Sequence, residues 1–262
     1  MPCGKPSRRR PPFVTHLGSA PLIESLYQAE NTHWWSVGMR GVTHTFLQGN
    51  ALPSGPILEV GCGGGAFLTE LKAHHPARTI LGIDTNPTAL GLSKQSYGED
   101  RSLAQANLHY LPFPDSKLGT LVGLDVYDQT GVELASALAE SWRVLRPGSV
   151  LLVRVSAYDW LWGNHDRAFG TAQRYTKARL ECALQAANYT IIRMTYANAL
   201  MLVPAILHRL ASRPGWISVE QQFALPDWLN GLLKLILRLE ALWLRRSTLP
   251  VGLSLYALAK KN

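Results

Sequence analysis

Apolar and polar positions follow two rhythms along this chain. Ile57–Val60, Thr79–Ile83, Ser102–Ala106, Leu118–Leu124, Ser149–Val155, Tyr189–Thr195 and Leu253–Ala259 are short apolar runs bounded by Gly, Pro, Asp or polar residues, as buried strands are. Between them, Ala66–His74, Asn86–Tyr97, Val132–Leu145 and Thr176–Ala187 read as helices. Pro87 suits a first turn, where its missing N–H is harmless, and Thr176 is a plausible N-cap. Strand and helix alternate from 57 to 155, which predicts an α/β class fold: a doubly wound, mostly parallel sheet of seven strands with helices on both faces.

The flanks differ from this core. Residues 21–50 read as an amphipathic helical lid around Trp34-Trp35. Pro53-Ser54-Gly55-Pro56 breaks the pattern, and the α/β core is expected over 51–197. Residues 198–250 are too rich in Leu and Trp for a loop and predict a helical cap, inserted before a last strand in 251–262. Residues 1–20 read as a disordered basic tail.

Of the 262 residues, 47% are hydrophobic and 17% charged, enough apolar surface for a sizeable core. The net charge of +8 is unevenly placed. Residues 1–12 hold Lys5, Arg8, Arg9 and Arg10 and no acid, and residues 200–262 hold eight Lys or Arg against Glu220, Asp227 and Glu240. Residues 13–199 hold 14 basic and 15 acidic residues. A near-neutral core argues against a nucleic-acid partner, which would draw basic residues around the active face. Cys3, Cys62 and Cys182 form neither a disulfide framework nor a metal pair, so no metal is expected and a cytoplasmic setting fits. The Trp228–Leu244 run is interrupted by Lys234, Arg238 and Glu240, so it is read as a buried helix, with a peripheral membrane contact as the alternative.

Candidate chemistry centres on Gly61-Cys62-Gly63-Gly64-Gly65, between the first strand and its helix. Such a turn lets a ligand approach backbone N–H groups at a helix N-terminus. Asp84, 23 residues beyond Gly61, closes the next strand where an acid can hold ribose hydroxyls. Gly61, Gly63 and Ala66 also satisfy the dinucleotide fingerprint, and a plain tight turn is the bland alternative.

The motifs around this turn discriminate further. Ile57-Leu58-Glu59-Val60-Gly61-Cys62-Gly63-Gly64-Gly65, Gly82-Ile83-Asp84-Thr85-Asn86, Leu111-Pro112-Phe113-Pro114-Asp115 and Arg143-Val144-Leu145-Arg146-Pro147-Gly148 together resemble the class I methyltransferases of the type 11 group, which use S-adenosylmethionine (SAM). That group includes ubiquinone- and menaquinone-type enzymes acting on small molecules. The resemblance implies a Rossmann-like methyltransferase fold and cofactor contacts from Glu59, Gly61, Cys62, Gly63, Gly65, Asp84, Thr85, Asn107, Leu108, Asp125 and Val126. His33-Trp34-Trp35 with Arg40, and Tyr158–Trp162 with His165-Asp166 and Arg174-Tyr175-Thr176, resemble a bacterial subgroup often found in lipid-linked or secondary-metabolite pathways. Two departures stand out: Asp125-Val126-Tyr127-Asp128-Gln129 replaces the usual "D-V-L-E-H", and Gly170-Thr171 replaces "G-H".

Methyl transfer requires alignment and exclusion of water, and needs a base only where the acceptor must lose a proton. His165 is the first candidate base and Asp128 the second, with Tyr127 grouped beside them as catalytic. Trp34, Trp35, Gln129, Tyr158, Trp162, Arg174 and Tyr175 are the expected substrate contacts. The leading expectation is a methyltransferase for a small, lipophilic or secondary-metabolite substrate with a C-, O- or N-acceptor. The missing histidines keep open a non-methylating cyclase-like or partner-activating protein. RNA methylation ranks lower, and NAD-dependent hydride transfer lower still.

Overall fold

The computed structural model describes residues 27, 29–48, 52–98, 102–211 and 225–262. The expectation for residues 1–20, and the stretches 21–26 and 212–224 of the predicted lid and cap, lie outside these described residues.

In chain order the elements are α1 (Trp34–Gln48), β1 (Ile57–Val60), α2 (Ala66–His74), β2 (Ile80–Asp84), α3 (Pro87–Tyr97), β3 (Leu103–Gln105), β4 (Leu118–Leu124), α4 (Leu134–Val144), β5 (Leu145–Ser156), α5 (Asn164–Ala168), α6 (Lys177–Ala186), β6 (Tyr189–Ala197), α7 (Leu202–Ala211), α8 (Asp227–Leu244) and β7 (Ser254–Lys261). The strands form one seven-stranded sheet in the order β3-β2-β1-β4-β5-β7-β6. All neighbours run parallel except β7, which is antiparallel to both β5 and β6. Strand order reverses between β1 and β4, and in open α/β sheets ligands bind outside the strand carboxyl ends at such a switch point.

The strands are apolar throughout because both faces of the sheet are covered. Leu58, Val60, Leu121, Val153 and Val155 pack with α4 and α6 through Leu138, Val144, Leu180 and Leu184. On the opposite face, Ile57, Val122, Val150 and Leu152 pack with α1, α2 and α8 through Met39, Val42, Phe46, Phe67, Leu68, Leu237, Ala241 and Leu244.

Local capping accounts for several helix starts. Asn86 accepts the Thr88 N–H at 2.9 Å ahead of Pro87, and Thr176 accepts the Arg179 N–H at 3.4 Å. The helix expected from Val132 begins instead at Leu134, because Glu133 turns back to accept the N–H groups of Ala135 and Ser136.

Helix α8 buttresses α1. Asn230 accepts the Trp34 N–H at 2.8 Å and donates to Thr32 O at 3.0 Å. Leu237 lies against Gly38 so closely that a Cβ there would sit 2.3 Å from Leu237 Cδ1. Helix α1 begins at Trp34 after a turn in which Thr32 N–H and His33 N–H donate to Ala29 O, and Tyr27 and Ala29 ahead of that turn are helical too.

Candidate functional site

The turn after β1 is tied to the end of β2: Gly61 and Cys62 donate their N–H groups to Ile83 O at 2.8 and 3.0 Å. Gly61 has φ +71, and a Cβ there would lie 2.4 Å from Val126 Cγ2, so the loop after β4 closes directly on this glycine. Gly65 has φ +82, begins α2 with no side-chain cap, and faces Ser93 Oγ at 2.4 Å from a built Cβ. The helix N-terminus therefore keeps backbone donors without a side-chain partner, under a cradle where only glycine fits.

Asp84 sits across this turn. Its Oδ2 accepts the Gly63 N–H at 3.0 Å and its Oδ1 the Asn86 N–H at 2.8 Å. Each carboxylate oxygen retains acceptor capacity for a ribose hydroxyl. Burial raises its pKa, against these backbone N–H groups, which lower it. Glu59 is buried, its Oε2 has no hydrogen-bond partner, and burial followed by the nearby Glu30 carboxyl pushes its pKa well above the ordinary range. Glu30 itself is raised to about 7, chiefly by burial, with Arg40 opposing and Asp84 adding.

Glu30 and Tyr27 were absent from the sequence-derived site. They lie across the cradle: Cβ atoms built on Gly63 and Gly64 would come within 2.7 Å of Tyr27 Cε1 and 3.0 Å of Tyr27 Cβ. Arg40 holds this segment, donating to Glu30 O at 2.8 Å and to Glu70 Oε1 at 2.7 Å on α2. Glu30, Glu59 and Asp84 thus gather acidic groups around one glycine turn. That is the complement of a ligand carrying an adenosine ribose and a cationic methionine end, so the residues fit SAM.

The remaining predicted cofactor positions divide. Cys62 turns its thiol inward, 3.1 Å from a Cβ built on Gly82, while its N–H is held by Ile83 O and its carbonyl accepts the Gly65 N–H at 3.0 Å. Thr85 is exposed, and its carbonyl accepts Gln105 Nε2 at 3.0 Å. Asn107 Oδ1 is engaged by the backbone and ring nitrogens of His109, and Leu108 is buried in the core.

At the carboxyl ends of β4 and β5 stands a pair only half anticipated. Asp125, in a left-handed conformation at φ 55, takes the guanidinium of Arg154 through Oδ1 at 3.0 Å and Oδ2 at 2.5 Å. Arg154 is buried, with its guanidinium carbon 4.9 Å from the centre of the Trp35 ring. A lone arginine inside the apolar run Leu151-Leu152-Val153-Arg154-Val155 was a readable signal that went unused, since such a charge in a central strand needs a dedicated partner. Asp125 precedes Val126, which touches Gly61, so this pair adjoins the cradle.

Burial in the core corrects two of the catalytic and substrate candidates, Tyr127 and Tyr175, and the others fall in different surroundings. Tyr127 points into the core under Gly123, fully buried, with its hydroxyl on Ser141 Oγ at 2.7 Å. His165 is exposed on α5 with its ring against Phe169, while its neighbour Asp166 is the residue that turns inward. Asp128 is 1% exposed; it accepts the Ser156 N–H at 2.8 Å, and its carbonyl accepts Ala172 and Gln173 N–H groups. It ties the loop after β4 to Ser156 and to the Ala172-Gln173 segment, and its pKa rises to about 7 from burial first and the adjacent Asp125 second. Arg174 is spent on Asp166, at 2.8 and 3.1 Å, and on Ala157 O. Tyr175 is a core residue hydrogen-bonded by Gln173. Trp162 donates to Thr171 O at 2.9 Å, Tyr158 stacks on Tyr196, and Gln129 lies beside Asp128.

Comparison with known proteins places this geometry. Residues 58–153 match a family described as a methyltransferase domain. A demethylmenaquinone methyltransferase from Deinococcus radiodurans is 31% identical over 37% of this chain and 41% of its own length. A 2-heptyl-1-hydroxyquinolin-4(1H)-one methyltransferase from Mycobacteroides abscessus is 28% identical over 51% of this chain and 63% of its own. The chain therefore spans less than two thirds of these relatives. A solved SAM-dependent methyltransferase from Thermotoga maritima shares the fold, with TM-score 0.60 at 14% identity over 93% of this chain and 97% of that one. The glycine turn, Asp84 and the loop after β4 all lie inside the stretch that matches this methyltransferase domain.

Proposed function

We propose that this chain, whose residues 58–153 form a type 11 class I methyltransferase domain with SAM as its cofactor, methylates a small lipophilic acceptor. The observation that carries the reading is the acidic ring of Glu30, Glu59 and Asp84 around Gly61–Gly65. Asp84 would hold the ribose, and the backbone of Gly61 and Gly63 would meet the methionine end under Tyr27. When bound, the cofactor supplies a methyl group on a positively charged sulfur.

The acceptor side is formed by Trp35, Arg154 and Asp125, adjoining the cradle through Val126. Trp35 gives a flat apolar contact and Asp125, the more exposed partner of the ion pair, a polar one. The buried pair keeps Asp125 oriented and the cleft floor rigid. Two relatives named for a menaquinone precursor and an alkylquinolone support a flat, greasy acceptor. Tyr127 and Asp128 are buried and His165 stands on the exposed surface of α5 against Phe169, so the favoured acceptor is one acidic enough to lose its proton to solvent, with catalysis resting on alignment.

Calorimetric titration of S-adenosylhomocysteine tests the cofactor site. Wild type should bind at micromolar concentration, and Asp84→Ala should lose at least tenfold in affinity as the ribose loses its acceptor. Folded wild-type protein with no affinity for this ligand would overturn the reading. A screen of hydroxyquinolones and naphthoquinols for methyl transfer then tests the acceptor class.

A further inference from the structure

Helix α8 is apolar on two opposite faces. One face, with Leu237, Ala241 and Leu244, is buried against α1 and the sheet. The other carries Trp228, Leu232, Leu235, Leu239, Leu242 and Trp243, between 46% and 71% exposed. At about 100° per residue these six positions fall in one stripe about 100° wide. Leu200, Val203 and Leu207, on and before α7, are also about as exposed. The start of that segment is fastened to α8, because Glu240 accepts the N–H groups of Asn198 and Ala199. Soluble proteins seldom leave a contiguous apolar patch of this extent without an occupant.

The charges beside the stripe say which occupant. Lys234, Arg238 and Arg245 line one flank, and Arg246 stands at its end. Asp227, in the first turn, is the acid against them, since Glu240 is buried and spent on backbone. A second copy in a twofold arrangement would set this basic flank against itself. Anionic lipid headgroups would pair with it instead, while the leucines enter the acyl boundary and Trp228 and Trp243 take the interfacial level at either end. Among the described residues no helix is long and apolar enough to cross a membrane, so α8 lies along the surface.

We propose that the outward face of α8 docks this protein on an anionic lipid bilayer. Docking there leaves α1 on the far side of α8 from the bilayer, because Asn230 and Leu237 hold it against the buried face. The inference concerns attachment alone and stands or falls independently of methyl transfer.

The experiment is sedimentation of the full chain with phosphatidylcholine vesicles, with and without phosphatidylglycerol. Binding should appear with the anionic lipid, shift tryptophan emission to the blue, and weaken as salt rises. Leu235→Asp with Leu239→Asp should reduce binding at least tenfold while leaving S-adenosylhomocysteine affinity and the far-ultraviolet spectrum unchanged. Arg238→Gln with Arg245→Gln, which touches no buried face, should lessen the preference for anionic lipid. Absence of wild-type binding would overturn the proposal. So would binding that survives the leucine substitutions, which would assign attachment to the basic residues near the chain start. A dimer that those substitutions dissociate, without vesicle binding, would assign the stripe to a second copy.

Discussion

At Glu30 one carboxyl couples the cradle to pH. Burial raises its pKa to about 7, Arg40 pulls it down, and Asp84 pushes it up again. A cationic ammonium brought to the glycine turn favours the ionised form. Affinity for S-adenosylhomocysteine should therefore rise from about pH 6 and level off above about pH 8, by at most tenfold per pH unit for one proton. Glu30→Gln should flatten that rise and bind more weakly at the upper end. Titrations at three pH values decide it, and parallel profiles for the two proteins would remove Glu30 from the cofactor site. The carboxyl was invisible in the sequence because nothing in the surrounding Gln28-Ala29-Glu30-Asn31 distinguishes it from a solvated surface acid. Asp84 was legible because it follows an apolar run at a set distance from the glycines. Tyr127 was misplaced for a related reason: its position after β4 was right, but no motif reveals that its ring folds back under Gly123.

Elements with a strong local period were legible almost to the residue. Strands β1 and β4 and helix α2 lie where the apolar runs put them, and the glycine turn falls between β1 and α2. What escaped is packing between elements far apart in the chain, above all α8 on α1. Gly38 and Gly41 look equivalent in the sequence, both being glycines inside one helix. A Cβ on Gly38 would meet Leu237 Cδ1 at 2.3 Å and Leu237 Cβ at 2.6 Å, whereas one on Gly41 meets nothing within 4 Å. Gly41→Ala should stabilise the fold by about 0.5–1 kcal/mol through helix propensity alone. Gly38→Ala has the same propensity gain but forces α8 outward, at an overpacking cost of about 1–3 kcal/mol that should leave it less stable than wild type. Chemical denaturation of both variants checks the opposite signs. If Gly38→Ala proved as stabilising as Gly41→Ala, α8 would not be seated on α1 as described.

Over the whole molecule, acidic groups are buried more often than their charge would favour. Burial raises the pKa of Glu30, Glu59, Asp84, Asp128 and Glu240. Among the described residues, Glu70 and Glu140 go the other way. Glu70 feels burial first, but hydrogen bonds from His44 and Arg40 outweigh it, and Glu140 is lowered chiefly by Arg143. The sign follows from proton binding. An acid with a raised folded pKa keeps its proton in the native state while the unfolded chain has released it, so stability falls as pH climbs from about 4 to the folded value, near 7 for Glu30 and Asp128. The lowered pair contributes stability above its unfolded pKa that is lost as pH falls below about 4. The ligand-free protein should thus melt highest near about pH 5 and progressively lower toward about pH 8, at an ionic strength that screens its exposed positive charge. Asp128→Asn can still accept the Ser156 N–H and removes one titrating acid, so its melting temperature should exceed that of wild type by a few degrees at about pH 8 and differ little at about pH 5. Saturating S-adenosylhomocysteine should raise the melting temperature most at the upper end, where Glu30 is ionised and the cation is bound most tightly. Thermal scans across that range, with and without ligand, test the set together. A melting temperature that climbed steadily from about pH 5 to about pH 8 would mean these carboxyls are solvated in the native state, and the acidic ring around the glycine turn would lose its physical basis.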